Sequence, residues 1–285
     1  MSILQLIIIA IVQGITEWLP ISSSAHVFLA SDFFGLVGRD EILINAASHF
    51  GTLIAMLIYF RKDVAAAIAG GVELVAAPVR KAPLSRGGHL ALCILIASPI
   101  ALIGSVLYER LVPDSFHEDM RNIYVVATAT IVFGALLWLA DVRGGRTRRE
   151  ADMTLRHAFL IGASQLIAVI IPGTSRSGIT MTAARALGYE RTEAARFAML
   201  IGAPILAAVS AYGLLGLMTE PAAGSMVTLT DGLFVAAIAF ISGYASIGLL
   251  MMVVSRMSFL PFVLYRIALG IALFATSPFV TGWFA

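Results

Sequence analysis

The chain has 285 residues, of which 59% are hydrophobic and only 13% charged, with a formal net charge of +2. An average soluble domain is roughly one quarter charged, so a water-facing surface cannot be assembled from this composition, and the small net charge gives no footing for nucleic acid. The single cysteine, Cys93, lies in an apolar run and excludes a disulfide within one chain.

The first stretch, 3–37, is apolar but interrupted by polar residues, and it lacks the basic leader and small-residue cleavage site of a signal peptide. It reads as mature protein. Full spans follow at about 42–60, 89–107 and 123–140, each long enough to cross roughly 30 Å of hydrocarbon. A second polar-interrupted stretch occupies 157–187, and three more spans fall at about 197–217, 232–254 and 262–280. The links alternate in charge. Segment 61–88 carries Arg61, Lys62, Arg80, Lys81 and Arg86 against Asp63 and Glu73, and 141–156 carries five arginines against three acids, so both read as cytoplasmic. Segment 108–122 has four acids and two arginines, and 218–231 has no basic residue, so both read as external.

This alternation constrains the two remaining stretches. With residues near 190 inside, 157–187 begins and ends on the cytoplasmic face and is therefore re-entrant; 3–37 is re-entrant from outside if the N-terminus is external. The expected fold is an all-α polytopic membrane protein with six transmembrane helices and two re-entrant helical hairpins. It forms one integral membrane domain over 1–285, whose halves, about 1–140 and 141–285, have opposite orientation. An ungapped match of Gln13–Ser23 (QGITEWLPISS) to Gln165–Ser175 (QLIAVIIPGTS) supports an inverted-topology repeat, with five shared or similar positions in eleven. Such repeats place polar sites near the midplane, where helix ends meet.

Two constellations carry chemistry. The first is Gln13, Glu17, Ser22, Ser23, Ser24 and His26. If residues before Pro20 are helical, Gln13 and Glu17 share one face and suit joint binding of a cation or water. Pro20 closes that helix, the serines cap the next, and His26 falls on the face of Ser22 and Ser23. An ionised Glu in hydrocarbon costs at least a few kcal/mol and demands a wet cavity, a partner or a metal. A bland alternative makes Pro20 a kink whose freed carbonyls the serines satisfy, but it leaves Glu17 and His26 without a purpose.

The second constellation is PGTSRSGIT, Pro172–Thr180. Gly173 permits close approach of a ligand, Thr174 or Ser175 caps the following helix, and the new N-terminus offers free amides and positive dipole. Arg176 adds a planar fork matched to phosphate oxygens, with Ser177 and Thr180 as further hydroxyls. The alternative is an interhelical salt bridge from Arg176, for instance to Glu17. Together the two units offer charge stabilisation, a nucleophile and a proton carrier, which are the requirements of phosphoryl transfer. Either Ser23 attacks phosphorus after losing its proton to His26, or a water held by Glu17 attacks. Elsewhere, His49 with Ser48 and Gly51 sits in a span facing the first unit and either lines the cavity or, the favoured reading, serves helix packing. Arg185 and Arg196 either line a cytoplasmic approach or snorkel to headgroups. Trp18 walls the site, Trp283 anchors at the interface, and Pro204 is a tolerated kink.

At these residues the chain resembles the undecaprenyl-diphosphate phosphatase family of bacitracin-resistance type. The family's acidic motif corresponds to Gln13–Glu17, followed by the serine run and His26, and its PGxSRSxxT motif is present in full from Pro172 to Thr180. The resemblance covers essentially the whole chain. It implies hydrolysis of undecaprenyl diphosphate to the monophosphate and inorganic phosphate, recycling the carrier lipid of cell-wall synthesis. It further implies a multi-pass protein of the bacterial inner membrane, with an active site facing the periplasm and aided by Mg²⁺ or Ca²⁺. Glu17 and His26 match the family's essential acid and histidine, while Ser23, Ser175, Arg176 and Thr180 match nucleophile or phosphate-binding positions. Many members have a second Glu where this chain has Gln13; a neutral ligand weakens cation binding, so a metal role rests on Glu17 and is in question for Gln13. The expected partners are a polyprenyl diphosphate and the membrane, with no nucleic acid, and a homo-oligomer is compatible with this reading. The competing classes are a secondary transporter or lipid flippase, whose usual signature is the inverted repeat, and a membrane scaffold.

Overall fold

The computed structural model describes residues 2–34, 38–80, 83–120, 122–219 and 227–280, and the described residues are almost entirely helical. In chain order the helices are α1 (Ile3–Thr16), α2 (Ser23–Phe33), α3 (Gly38–Tyr59), α4 (Arg61–Arg80), α5 (Arg86–Leu111) and α6 (Asp114–Met120). Then come α7 (Ile123–Arg143), α8 (Leu155–Ile170), α9 (Arg176–Ala186), α10 (Arg191–Thr219), α11 (Leu229–Arg256) and α12 (Leu260–Val280). Trp283 lies outside the described residues. Helix starts carry the residues that physics favours there: Ser2 caps α1 in a reciprocal box with Gln5, Thr154 caps α8, and Thr228 caps α11 in a box with Asp231.

Among the described residues, five helices are long and apolar enough to cross a membrane: Asp40–Tyr59, Arg86–Leu111, Ile123–Arg143, Arg191–Gly216 and Leu229–Arg256. Five of the six expected spans thus have a counterpart of full length. The sixth, expected at 262–280, coincides with α12, a helix of 21 residues from Leu260 to Val280. Helices α1 and α8, of 14 and 16 residues, are only roughly 21 and 24 Å long, less than a bilayer's hydrocarbon thickness. α10 runs on through Pro204, as the sequence led us to expect. The link 61–88 is not plain loop, since most of it is the amphipathic helix α4 packed on α5.

The helices pack in exchanged pairs. Hairpin helix α1 lies on α11, while hairpin helix α8 lies on α5; α3 packs on α10, and α7 packs on α12. Small residues set these distances. A Cβ on Gly14 of α1 would come within 2.9 Å of the Ala239 carbonyl of α11, and one on Gly162 of α8 within 2.4 Å of the Ala97 carbonyl of α5. Backbones this close maximise dispersion contact where lipid offers no hydrophobic driving force between helices.

One end of the bundle is sealed by ion pairs. Asp141 at the end of α7 accepts from Arg185 of α9 at 2.9 Å and from Arg191 of α10 at 2.8 Å, and its second oxygen accepts the Phe259 amide before α12 at 3.2 Å. Beside it, Arg196 makes a two-bond contact with Asp63 of α4 and also donates to Glu150, which takes two further bonds from Arg86 of α5. Burial pushes the Glu150 carboxyl up, but hydrogen bonds from Arg86 and Arg196 outweigh it and hold the group below the usual carboxylate range. Arg185 and Arg196 are both held in ion pairs, because acids from three other segments, Asp63, Asp141 and Glu150, reach this end.

The α8–α9 hairpin starts and finishes at this sealed end. The Arg148 amide donates to the Gly188 carbonyl and the Glu190 amide to the Arg148 carbonyl, and His157 at the start of α8 meets the Tyr189 hydroxyl at 2.8 Å. Arg185 is fully buried, so removing its counter-charge leaves an unpaired guanidinium inside the protein. Asp141→Ala is expected to cost about 3–5 kcal/mol, read as an early transition in denaturant titration of the detergent-solubilised protein; an unchanged midpoint would show that the pair contributes nothing.

Candidate functional site

Each hairpin ends in a short tip between its two helices. In the first, Glu17 is the C-cap of α1 and the chain turns through 18–22 before α2 begins at Ser23; in the second, residues 171–175 join α8 to α9. α1 stops at Thr16, four residues before Pro20, so the proline does not close that helix. The last residue before each following helix is a serine with positive φ: 72° at Ser22 and 71° at Ser175. A side chain in that region costs about 1–3 kcal/mol and persists only where surroundings over-determine it. Gly173, at φ 87°, meets the same demand without a side chain.

The backbone corrects the sequence alignment by one residue at this point. Aligning on proline pairs Ser23 with Ser175, but the turn after Pro172 is one residue longer than that after Pro20. The left-handed positions pair Ser22 with Ser175, and the first helical residues pair Ser23 with Arg176. Both of these first helical residues touch the same carboxylate.

That carboxylate is Glu17. Its Oε1 accepts Arg176 Nη2 at 2.5 Å; its Oε2 accepts Gln13 Nε2 at 2.7 Å and Ser23 Oγ at 2.8 Å. Gln13 and Glu17 do lie one turn apart on one face, with Gln13 holding Glu17 in place. The Gln13 amide also donates to His49 Nδ1 at 2.9 Å, which puts the ring proton of neutral His49 on Nε2. His49 Nδ1 is 3.6 Å from Glu17 Oε2. Glu17 is 6% exposed, so these bonds replace the water that the bundle excludes.

A cavity of about 180 Å³ opens against this cluster. Its polar wall is Glu17, Ser23, His49, Thr174, Ser175 and Arg176, and its apolar wall is Ala168 and Ile171 of hairpin two with Leu206 and Val209 of α10. Leu206 and Val209 lie roughly 22–27 Å along α10 from Arg191, at the end of the bundle away from the ion-pair seal. Ser175 Oγ accepts the Gly178 amide at 3.1 Å and so caps α9. The first amides of a helix have no intrahelical acceptor, and here they sit beside the guanidinium of Arg176.

Not every residue expected at the site lines it. His26 is turned aside: its Nδ1 meets the Ser22 carbonyl at 2.7 Å and its Nε2 the Tyr265 hydroxyl at 2.6 Å, with the two rings stacked at 5.6 Å. The Ser23 hydroxyl is bonded to Glu17, not to His26. Ser177 bridges the tips by donating to the Leu19 carbonyl at 3.0 Å. Thr180 bonds back to the Arg176 and Ser177 carbonyls of its own helix, and the Thr174 hydroxyl bonds to the Ile171 carbonyl. Ser22 is buried and contributes its backbone turn, Gly173 contributes its carbonyl, and the side chain of Ser24 lies outside the described residues. Trp18 is buried, donating to the Thr52 carbonyl at 3.1 Å, and it faces Gly202 of α10 beside Arg176 rather than the cavity.

Two contributors were misjudged or missed. His49, read as helix packing, lines the cavity; its place one hydrogen bond from Gln13 follows from the packing of α1 against α3, which no local pattern reports. Arg266 of α12 is fully buried and donates to carbonyls of both tips. Its signal was available as a lone arginine within an apolar stretch. With Arg266 counted, the described residues at the tips carry two guanidiniums and one carboxylate, a surplus of positive charge.

Among the described residues no group of three His, Cys, Asp or Glu side chains comes together to hold a metal. Glu17 is the one carboxylate on the cavity wall. That suits a hard cation held by a single carboxylate and the oxygens of a bound phosphate, as Mg²⁺ often is, and does not suit an all-protein cage.

Known proteins match this chain along nearly its full length. It is 74% identical to the undecaprenyl-diphosphatase of Hyphomonas neptunium over 282 residues, 99% of each chain. It is 43% identical to that of Maricaulis maris over 273 residues, 96% of this chain and 98% of the other, and 40% identical to that of Saccharophagus degradans over the whole of both. The profile of the bacitracin resistance protein BacA family matches residues 6–272. Two tips meeting around one buried carboxylate and one arginine, with this likeness end to end, make the chain a member of the bacitracin resistance protein BacA family.

Proposed function

We propose that this protein hydrolyses undecaprenyl diphosphate to undecaprenyl phosphate and inorganic phosphate, and so recycles the carrier lipid of cell-wall synthesis. The observation that carries the reading is the Glu17–Arg176 contact at 2.5 Å, which joins two hairpin tips at a polar cavity inside an apolar bundle; likeness along nearly the whole chain to named undecaprenyl-diphosphatases, 74% identical in one case, supplies the substrate.

The diphosphate enters with its negative charge toward the Arg176 guanidinium and the first amides of α9. Arg176 transfers its fork from Glu17 to phosphate oxygens, because a dianionic phosphate competes well for bidentate donors. Glu17 keeps its bonds from Gln13 and Ser23 and gains basicity as the guanidinium leaves. It then takes the Ser23 proton as Ser23 Oγ bonds to phosphorus and the bond to undecaprenyl phosphate breaks. Afterwards a water bonds to phosphorus as the Ser23 Oγ–phosphorus bond breaks; Glu17 returns its proton to Ser23 Oγ and takes one from the water, and that proton leaves with inorganic phosphate or to solvent. In a direct variant of the same chemistry, Glu17 takes its proton from a bound water instead, and that water attacks phosphorus in place of Ser23. The leaving undecaprenyl phosphate is a stable anion and makes little demand for a proton. His26 holds the Ser22 turn through the Ser22 carbonyl, which replaces the expected proton transfer with Ser23. A bound Mg²⁺ or Ca²⁺ would supply neutralisation of phosphate charge, and Glu17 would hold it with the substrate's own oxygens.

The site is proposed to face the periplasm from the bacterial inner membrane, within six spans and two re-entrant hairpins related as an inverted repeat. Four observations support this. Helices α1 and α8 are too short to cross, both ends of the α8–α9 hairpin lie at the ion-paired end, basic residues collect at that end, and the cavity lies toward the other. The exchange of partners, α1 on α11 and α8 on α5, is the relation that a two-fold in the membrane plane would produce. A transporter without chemistry leaves the Ser23–Glu17 contact unused.

Two measurements check these statements. Phosphate release from undecaprenyl diphosphate in detergent should fall roughly 10²–10⁴-fold for Glu17→Gln and roughly 10²–10³-fold for Arg176→Ala, and full turnover by either variant removes that residue from the mechanism. Ser23→Ala separates the two routes, since more than a trace of turnover assigns the attack to water. With Cys93→Ala as background, single cysteines at Gly145 and Gly188 should both react with an impermeant thiol reagent only from the cytoplasmic side; reaction of the two from opposite sides rejects the re-entrant hairpin.

A further inference from the structure

Arg266 sits behind the site, on α12, with no exposure at all. A guanidinium has five N–H donors, and all five have an acceptor. Nε donates to Thr130 O at 2.9 Å; Nη1 to Thr174 O at 2.9 Å and Pro20 O at 3.3 Å; Nη2 to Gly173 O at 2.9 Å and Ala129 O at 3.4 Å. Three of these carbonyls belong to the two tips, and two belong to α7. Among the described residues Arg266 pairs with no carboxylate, so its charge is met by backbone dipoles alone.

We propose that Arg266 is the positioning residue that aims the amide face of the second tip at the phosphate, and locks the two tips to each other while doing so. The inference rests on the phosphatase reading of the same cavity. In a trans peptide the C=O and N–H point in opposite directions. With the Thr174 carbonyl turned back onto Arg266, the Ser175 N–H is turned away from Arg266, and Ser175 is a cavity residue. The same grip explains how Ser175 keeps its positive φ: a relaxed backbone there would swing the Thr174 carbonyl off the guanidinium. The bond to Pro20 O extends the lock to the first tip, two residues before the left-handed Ser22. Arg266 touches neither the cavity nor Glu17 and acts through the peptides that it holds.

Lysine cannot replace it, because three donors on one nitrogen do not span five carbonyls. A second variant perturbs Arg266 from behind. A Cβ on Gly134 of α7 would come 3.1 Å from Arg266 Cβ and 3.4 Å from Nε, and its three nearest atoms all belong to Arg266. Arg266→Lys and Gly134→Ala are assayed beside the wild type for kcat and KM on undecaprenyl diphosphate, for melting in detergent, and for amide hydrogen exchange. Arg266→Lys should lower kcat roughly a hundredfold with KM little changed, the size expected when reacting groups are displaced by about 1 Å. Gly134→Ala should give a smaller fall in the same direction. In both, exchange should quicken at 17–22 and 171–178 together while the rest of the bundle and the melting point hold. Wild-type kcat in Gly134→Ala, a loss carried by KM alone, or unchanged exchange at the tips would each overturn the proposal, and Gly134→Ala decides the matter if Arg266→Lys fails to fold. A wild-type protein that releases no phosphate sinks the phosphatase reading instead, and tip exchange still judges the brace.

Discussion

A carboxylate cannot be left alone inside an apolar bundle, and the structure turns on how Glu17 escapes that penalty. Its three bonds, from Arg176, Gln13 and Ser23, come from both hairpins. Breaking a buried pair by removing one partner costs several kcal/mol, whereas a good exchange of partners costs little. The resting contact is therefore a holding arrangement that an anionic ligand can take over. In the proposed mechanism Arg176 moves to the phosphate when it arrives, and Glu17 becomes a base as it does.

The rest of the fold serves to bring two helix starts to one point. Helices α1 and α8 are shorter than a bilayer's hydrocarbon thickness, their tips meet inside the bundle, and α1 lies against α11 while α8 lies against α5. Ser23 and Arg176 hold equivalent places after left-handed serines, yet they carry different chemistry, a hydroxyl on one side and a guanidinium on the other. Duplicated geometry has become a division of labour. The same divergence shows in Gln13 and Gln165: the first is bonded to Glu17 and His49, while the second is buried against its own helix and donates to Gly162 O at 3.4 Å. At the far end, the acids that pair with Arg185, Arg191 and Arg196 fix where the second hairpin begins and ends.

Much of this was legible because membranes make polar residues informative. Glu17 and Arg176 each stood out by cost alone, and their pairing appeared among the readings of Arg176 as a mere salt bridge; the structure shows that bridge on the wall of a cavity, where the proposed mechanism makes use of it. The two interrupted stretches, set apart by charge alternation, each fold as two helices joined by a short tip, and α12 covers the sixth expected span with 21 helical residues. What failed was the assignment of partners. His26 was matched to Ser23 by helical spacing, but Tyr265, more than two hundred residues away, takes its second nitrogen. For His49, packing was favoured over a place on the cavity wall because the choice depends on a neighbour on another helix. Periodicity shows which face a residue occupies, and it is silent on what that face meets. Arg266 was passed over although the argument applied to Glu17, an expensive charge in an apolar run, applied to it equally.

The most direct test of the account is a structure of the protein with a non-hydrolysable methylene analogue of a prenyl diphosphate. Arg176 should then lie on phosphate oxygens, released from Glu17 Oε1, with Ser23 and Gln13 still on Oε2 and the Ser175 amide directed at the ligand. An analogue bound elsewhere, or bound in the cavity with Arg176 still locked to Glu17, would contradict it.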